Sequence, residues 1–312
     1  MENKIKNFMS AVIYVHNEQN AIAEFLKSIV SILEDKFEHS EIICVNDCSN
    51  DHSVEIIKEI SNRTQSTTVS IVNMSYFHGL EVAMSAGRDL AIGDFVLEFD
   101  SVNLDFDVNV VMEVYNKSLE GFDIVSASPN QRQKMESWLF YKVLNKFSHL
   151  SYKMRTERFR ILSRRVINRI DSMSASVPYR KVIYANCGLK MFNLEYPVVH
   201  KEIKSIDKQE RRYRKRLSVD AIILFTELGY RFSMIMTGIM MVLAIFMVGY
   251  SVLIYSLSKP VEGWTTTIIF MSVAFFGLFA ILTIIIKYLQ ILVDLIFKKK
   301  KYSFESIEKL TK

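Results

Sequence analysis

Residues 41–51 read EIICVNDCSND: a short aliphatic run, Ile42 to Val45, breaks into six polar or small residues. An aliphatic run of that length, bounded by turn formers, reads as a buried strand whose carboxyl end opens into a loop. The same design occurs upstream, where Met9–Val15 (MSAVIYV) is followed by His16, Asn17 and Glu18. It occurs again downstream, where Phe95–Phe99 (FVLEF) is followed by Asp100 and Ser101. Outward from these three, 69–73 and 124–128 read as further strands. Helical periodicity fills the gaps at 21–33, 53–61, 80–91 and 108–117, with Asp51 and Ser53 offered as caps for the second helix. Strand–helix alternation with short links predicts an α/β fold built on a doubly wound, mostly parallel sheet. Ligands of such sheets sit at the carboxyl ends of the strands. One Asn/Asp/Ser run is more often a turn or a cap than a site; three of them at one sheet edge are a sharper signal.

The rest of the chain differs in kind. Half of the 312 residues are hydrophobic and the mean hydropathy is +0.14, but the apolar residues concentrate late. Segments 232–257 and 264–286 contain no charged residue, and each exceeds the roughly 20 residues that cross a bilayer as a helix. The six-residue link 258–263 predicts a two-helix transmembrane hairpin. Residues 201–216 (KEIKSIDKQERRYRKR) carry eight basic and three acidic side chains, an excess equal to the formal net charge of +5. Four lysines, Lys298 to Lys301, follow the second apolar run. Basic residues on the two outer flanks place both flanks, and with them both termini, in the cytosol by the positive-inside rule. The expected organisation is a catalytic domain at 1–200, a basic and amphipathic juxtamembrane segment at 201–231, the hairpin at 232–286 and a basic tail at 287–312.

Other classes are excluded. The three cysteines form no C-x-x-C and no cluster with histidine, as expected of reduced cytosolic thiols. The first ten residues lack the apolar core of a secretory signal. No glycine-rich dinucleotide or P-loop fingerprint is present. The basic runs come without a zinc spacing or nucleic-acid motif and abut apolar segments, so anionic lipid, not nucleic acid, is the expected contact.

Four stretches together resemble family 2 glycosyltransferases: VIYVHNEQNAI (12–22), EIICVNDCSNDHS (41–53), FHGLEVAMSAGRDLAIGDFVLEFDS (77–101) and RFRILSRRVINRI (158–170). The last is similar to the D-F-R-L segment of the polyprenyl-phosphate branch, which includes dolichyl-phosphate mannose synthase and bacterial enzymes that load a sugar onto undecaprenyl phosphate. The resemblance implies a GT-A fold, a nucleotide-sugar donor, a divalent metal (Mg²⁺ or Mn²⁺), a polyprenyl phosphate acceptor and a bacterial cytoplasmic-membrane location, and it admits a homo-oligomer. Carried over by position, Glu18, Asn46 and Asp47 would hold the nucleotide with His16 beside them, and Asp94 would face the same cleft. Asp100 would stand as the first acid of a D-x-D, binding metal and diphosphate. Arg132 and Arg160 are candidates for phosphate contacts; Arg180 and Lys181, in VPYRKVIYANCGLK (177–190), occupy the acceptor-side loop.

Several motif positions differ. The first acid of the D-D-G-S motif is Asn46, its glycine is Cys48, and the second acid of the D-x-D is Val102. Asp105 and Asp107 follow at the spacing of a helix start, where capping competes with metal ligation. The acid of D-F-R-L is Arg158, leaving Glu157, one position earlier, as the candidate general base. Two further readings stay open: a transferase that extends a lipid-linked or capsular glycan, and a degenerate, non-catalytic membrane subunit.

Overall fold

The computed structural model describes residues 4–131, 135–147, 152–172, 179–199, 208–226 and 304–309, with isolated helical positions between 232 and 292. The chain divides into two compact units, one of residues 1–145, 150–218 and 300–312, the other of 146–149 and 219–299.

In the first unit the predicted alternation is present: β1 (Met9–Val15), α1 (Ile22–Lys36), β2 (Ser40–Asn46), α2 (Ser53–Ser61), β3 (Thr67–Met74), α3 (Leu80–Leu90), β4 (Phe95–Phe99), α4 (Asn109–Leu119) and β5 (Ile124–Pro129). There follow α5 (Met135–Phe147), β6 (Phe159–Ser163), α6 (Arg164–Ser172), α7 (Arg180–Asn186), β7 (Met191–Tyr196), α8 (Lys208–Phe225) and β8 (Phe304–Lys309). The strands form one eight-stranded sheet in the order β7-β5-β6-β4-β1-β2-β3-β8. Strands β4, β1, β2 and β3 are mutually parallel. β6 runs antiparallel to both β4 and β5, and β8 is antiparallel to β3.

Alternation along β1 sorts the core into two layers. Ala11, Ile13 and Val15 pack with Phe25 and Leu26 of α1 and Val110 of α4, whereas Val12 and Tyr14 pack with Met84 of α3 and Ile183 of α7. A sheet covered on both faces needs strands apolar on both sides, which is why MSAVIYV is a continuous run. α3 lies so close to the sheet that a Cβ on Gly87 would come within 2.4 Å of Val12 and 2.6 Å of Val45.

The predicted membrane segments lie largely outside the described residues. Among the described residues no helix is long and apolar enough to cross a membrane. Phe232, Ile235, Ile239, Val242 and Phe246 are described as helical, and each side chain is at least 46% exposed. The 287–312 tail, expected only as a basic appendage, supplies β8 and so returns to the edge of the catalytic sheet.

Candidate active site

The chain passes from β1 outward through β2 to β3, then returns to the other side of β1 as β4. That reversal opens a crevice at the carboxyl ends of β1 and β4, where open α/β sheets take their ligands. The turns after β1 and β2 interlock there. Asn17 and Cys48 both hold positive φ, 54° and 57°. Asn17 accepts from the Asn50 N–H (2.8 Å), and the Asn17 N–H donates to Ser49 Oγ (3.1 Å). The Glu18 N–H donates to Ser53 Oγ at 2.8 Å. Asp51 does not cap α2 alone; it accepts from the N–H groups of both Ser53 and Gln19, pinning the two turns together.

Asp47 is fully buried at the centre of this edge. Its Oδ1 accepts from the His78 N–H at 2.8 Å, and its Oδ2 from the Gly79 N–H at 2.7 Å and the Tyr14 hydroxyl at 3.1 Å. Burial pushes this carboxyl above its ordinary range, against the pull of those donors. Gly79 opens α3 at φ 84°, and a Cβ there would lie 2.2 Å from the Tyr213 ring of α8. Phe77 meets the same ring edge-on at 5.9 Å. One face of the basic helix α8 therefore packs on Gly79 and Phe77 beside Asp47, and Lys208, Arg211, Arg212, Lys215 and Arg216 are exposed at helical spacing on the other.

At β4 the chemistry is different. β4 pairs with β6 so that Glu98 stands opposite Arg160, a cross-strand pair on one face. Arg160 is 1% exposed and donates to Glu98 (2.8 Å), Asp100 (2.7 Å) and Glu157 (3.2 Å). Arg180, equally buried at the start of α7, donates to Glu81 (3.0 Å) and Asp100 (2.8 Å) and lies 2.9 Å from Glu98. Tyr184 completes the set, donating to Glu98 at 2.8 Å. Burial alone would raise both acids, but the guanidinium groups of Arg160 and Arg180 hold Asp100 well below the usual carboxylate range and Glu98 below it as well.

The structure thus brings His16, Glu18, Asn46, Asp47, Asp100, Glu157, Arg160, Arg180 and Lys181 to the carboxyl edge, with altered roles for several. His16 is 4% exposed and its Nδ1 lies 2.7 Å from the Asp47 carbonyl, which makes it part of the scaffold. Asn46 spends its side chain on Asn73 and the Ser49 N–H. Glu157, expected as a base, faces Arg160 and, at 4.0 Å, Lys181, and serves there as a counter-ion. Asp94 does not face the cleft. It precedes β4 and accepts from the Phe8 N–H at 2.9 Å, at the amino edge of the sheet. Six residue steps at about 3.3 Å each put it roughly 20 Å from Asp100. Arg132 lies outside the described residues. Glu81, Glu98, Tyr184 and Tyr213 escaped the motif reading. Glu98 alone carried a signal, since an acid inside a buried strand requires a partner.

The expected metal finds no completed donor set. Both Asp100 oxygens are on guanidinium groups, Val102 is in the core, and Asp105 accepts from Arg158 (2.7 Å) and Tyr196 (3.0 Å). Asp107 accepts from the Asn109 N–H at the start of α4. Among the described residues no group of three His, Cys, Asp or Glu is arranged to hold a metal.

A polar cleft of about 400 Å³ is lined by Tyr152, Lys153, Arg155, Asn193 and Glu195. Register through β5 and β6 sets Glu195 level with Asp100, three strands away, about 14 Å at the usual strand spacing.

The fold and the chain agree with known proteins. The structure is similar to that of a glucosyl-3-phosphoglycerate synthase of Mycobacterium tuberculosis, with a TM-score of 0.51 and 14% identity over 70% of this chain and 79% of that one. The sequence is 28% identical over 278 residues to the bactoprenol glucosyl transferase of Shigella phage SfV, covering 86% of this chain and 88% of that protein. It is 32% identical over 190 residues to an uncharacterized glycosyltransferase of Synechocystis, 58% of this chain and 58% of the length of that relative. The model of glycosyl transferase family 2 matches residues 10–175, more than half of the chain, and the protein belongs to that family.

Proposed function

We propose that the protein transfers a sugar from a nucleotide-sugar to a polyprenyl phosphate at the cytosolic face of a bacterial cytoplasmic membrane. The observation that carries the reading is the polar edge at the β1/β4 reversal, in a family 2 chain similar over most of its length to a bactoprenol glucosyl transferase. The nucleotide would lie on the interlocked turns after β1 and β2, against Glu18 and the Asn46–Asp47 turn. A phosphate oxygen of the acceptor attacks the anomeric carbon. The bond from that carbon to the donor diphosphate breaks, and its electron pair leaves with the nucleoside diphosphate. The attacking phosphate is already an anion at neutral pH, so no base is required, which agrees with Glu157 being engaged as a counter-ion. The cleft, where Lys153 adds positive charge beside the Arg155–Glu195 pair, has the size for the acceptor phosphate.

Membrane attachment fits the same reading. Segments 232–257 and 264–286 have the length and composition of two spans. β8 follows them and pairs in the sheet that precedes them, which requires an even number of crossings. The exposed basic face of α8 suits anionic headgroups.

The test uses the purified full-length chain with labelled UDP- and GDP-sugars and undecaprenyl phosphate. Label passing into the lipid phase as a glycosyl monophosphate is the expected result. Transfer solely to a diphosphate-linked saccharide would reject it in favour of glycan extension.

A further inference from the structure

We infer that Asp100 does not hold a divalent cation in this chain, and that the buried guanidinium groups of Arg160 and Arg180 stand in the place of that charge. The inference concerns the same site as the proposed reaction but rests on that reading only for what it implies about the donor.

The first ground is the occupancy of Asp100 itself. Arg160 Nη2 lies 2.7 Å from one carboxylate oxygen and Arg180 Nη2 2.8 Å from the other. Mg²⁺ and Mn²⁺ bind through carboxylate oxygens free to take the ion along with water and phosphate ligands. Here an entering ion would have to crowd or displace two guanidinium groups that have nowhere wetter to go, both being nearly inaccessible.

The second ground is the fate of every neighbouring acid. Position 102, where a second D-x-D acid would stand, is Val102, 1% exposed and packed in the core. Asp105 holds Arg158 and Tyr196, and Asp107 holds the first turn of α4. Glu81 receives both the backbone N–H and Nε of Arg180, at 2.8 and 3.0 Å. Glu98 receives Arg160 and Tyr184, and Glu157 receives Arg160.

The third ground is charge. The carboxylates of Glu81, Glu98, Asp100 and Glu157 face Arg160, Arg180 and Lys181, while Arg88, beside the Tyr184 hydroxyl, is paired with Asp89. Four acids against three cations leave a formal charge of −1. A divalent ion would leave the block with an uncompensated positive charge in a buried site, where such charge is costly. The consequence for a donor is that its diphosphate meets no metal bridge at Asp100.

The two roles of Asp100 predict opposite stabilities for Asp100→Asn without metal. A metal ligand is an acid held for an ion, and neutralising it leaves the metal-free protein as stable or more so. A counter-ion for two buried guanidinium groups cannot be neutralised without loss. The experiment titrates Mn²⁺ alone into the full-length wild-type chain and Asp100→Asn by calorimetry, and melts both in EDTA. The expected result is an Mn²⁺ isotherm identical in the two proteins, with a melting temperature for Asp100→Asn lower by on the order of 10 °C. A saturable Mn²⁺ site lost in Asp100→Asn overturns the inference, as does an Asp100→Asn melting temperature at or above wild type. Should Asp100→Asn not fold, Mn²⁺ electron paramagnetic resonance on the wild type decides. A free-ion spectrum supports the inference, and a bound spectrum that Arg160→Lys sharpens or strengthens overturns it. None of these readouts measures transfer. Failure of the transfer assay therefore leaves the inference standing, and Mn²⁺ binding at Asp100 leaves the proposed function standing.

Discussion

Asp47 and Asp100 follow β2 and β4, the two strands that flank β1, and both are buried at the same edge of the sheet. Their surroundings are opposite. The Asp47 oxygens accept from two backbone N–H groups and a tyrosine hydroxyl, with the His78 imidazole 4.0 Å away, and the carboxyl is raised by burial. Asp100 is met by two guanidinium groups that overcome burial and hold its carboxyl low. An acid after a hydrophobic strand is thus not one kind of feature. The layer packed above it decides: the α3 amino terminus and α8 over Asp47, β6 and α7 over Asp100.

The sharpest way to break this contrast is to unbalance the charged side of it. Glu98→Gln leaves Arg160 and Arg180 short of a buried counter-charge and is expected to cost about 3–5 kcal/mol of stability, read by urea unfolding. Asp47→Asn removes a carboxylate that faces no guanidinium and accepts from backbone N–H groups and a hydroxyl, and its cost is expected at about 1–3 kcal/mol, the range for a disturbed buried hydrogen-bond set. If the two losses come out equal, the distinction between the sites fails.

Acid titration probes the same contrast by sign. Glu98 and Asp100 have folded-state values below their ordinary ones, so the unfolded chain takes up their protons first as pH falls. Their stabilisation is fully present above an unfolded value of about 4 and is lost as pH drops below it. Asp47, raised in the folded state, contributes with the opposite sign: protonation in the native protein relieves it on acidification. Unfolding followed from neutral pH to about pH 3 should show a steep loss in the wild type that flattens in Glu98→Gln and steepens in Asp47→Asn.

Two smaller effects sharpen the neutral side. Gly79→Ala forces a side chain at φ 84° into the Tyr213 ring and is expected to cost about 2–3 kcal/mol from strain and overpacking together. Pairing it with Tyr213→Ala should recover the overpacking part in a double-mutant cycle, and additive losses would show that α8 does not press on Gly79. Cys48→Gly is expected to stabilise by about 1 kcal/mol, because Cys48 holds a left-handed φ of 57°.

The parallel half of the sheet was legible because buried strands and amphipathic helices carry their own periods, and Ser53–Ser61 and Phe95–Phe99 fall where the pattern puts them. The antiparallel insertion of β6 was not, since its position between β4 and β5 depends on pairing across 32 to 38 residues on one side and 60 to 68 on the other. β8 was hidden for the same reason, at 230 to 239 residues from β3. Within the site, the acids at the strand ends were visible as polar residues closing apolar runs. What they do was not: Asp94 looks like the other acids in the sequence but precedes its strand, and Arg160 and Arg180 look like surface phosphate ligands until their burial is known. Tyr213 sits within a run of basic residues that gives no sign of a face turned toward Gly79 and Phe77.

The most direct test of a polyprenyl-phosphate transferase whose Asp100 is charge-balanced by arginine is sugar transfer to undecaprenyl phosphate by the full-length chain, measured in EDTA and again with added Mn²⁺. Transfer that proceeds in EDTA at the rate seen with Mn²⁺ is the predicted result. Transfer abolished by EDTA and restored by Mn²⁺, or no transfer under either condition, would contradict it.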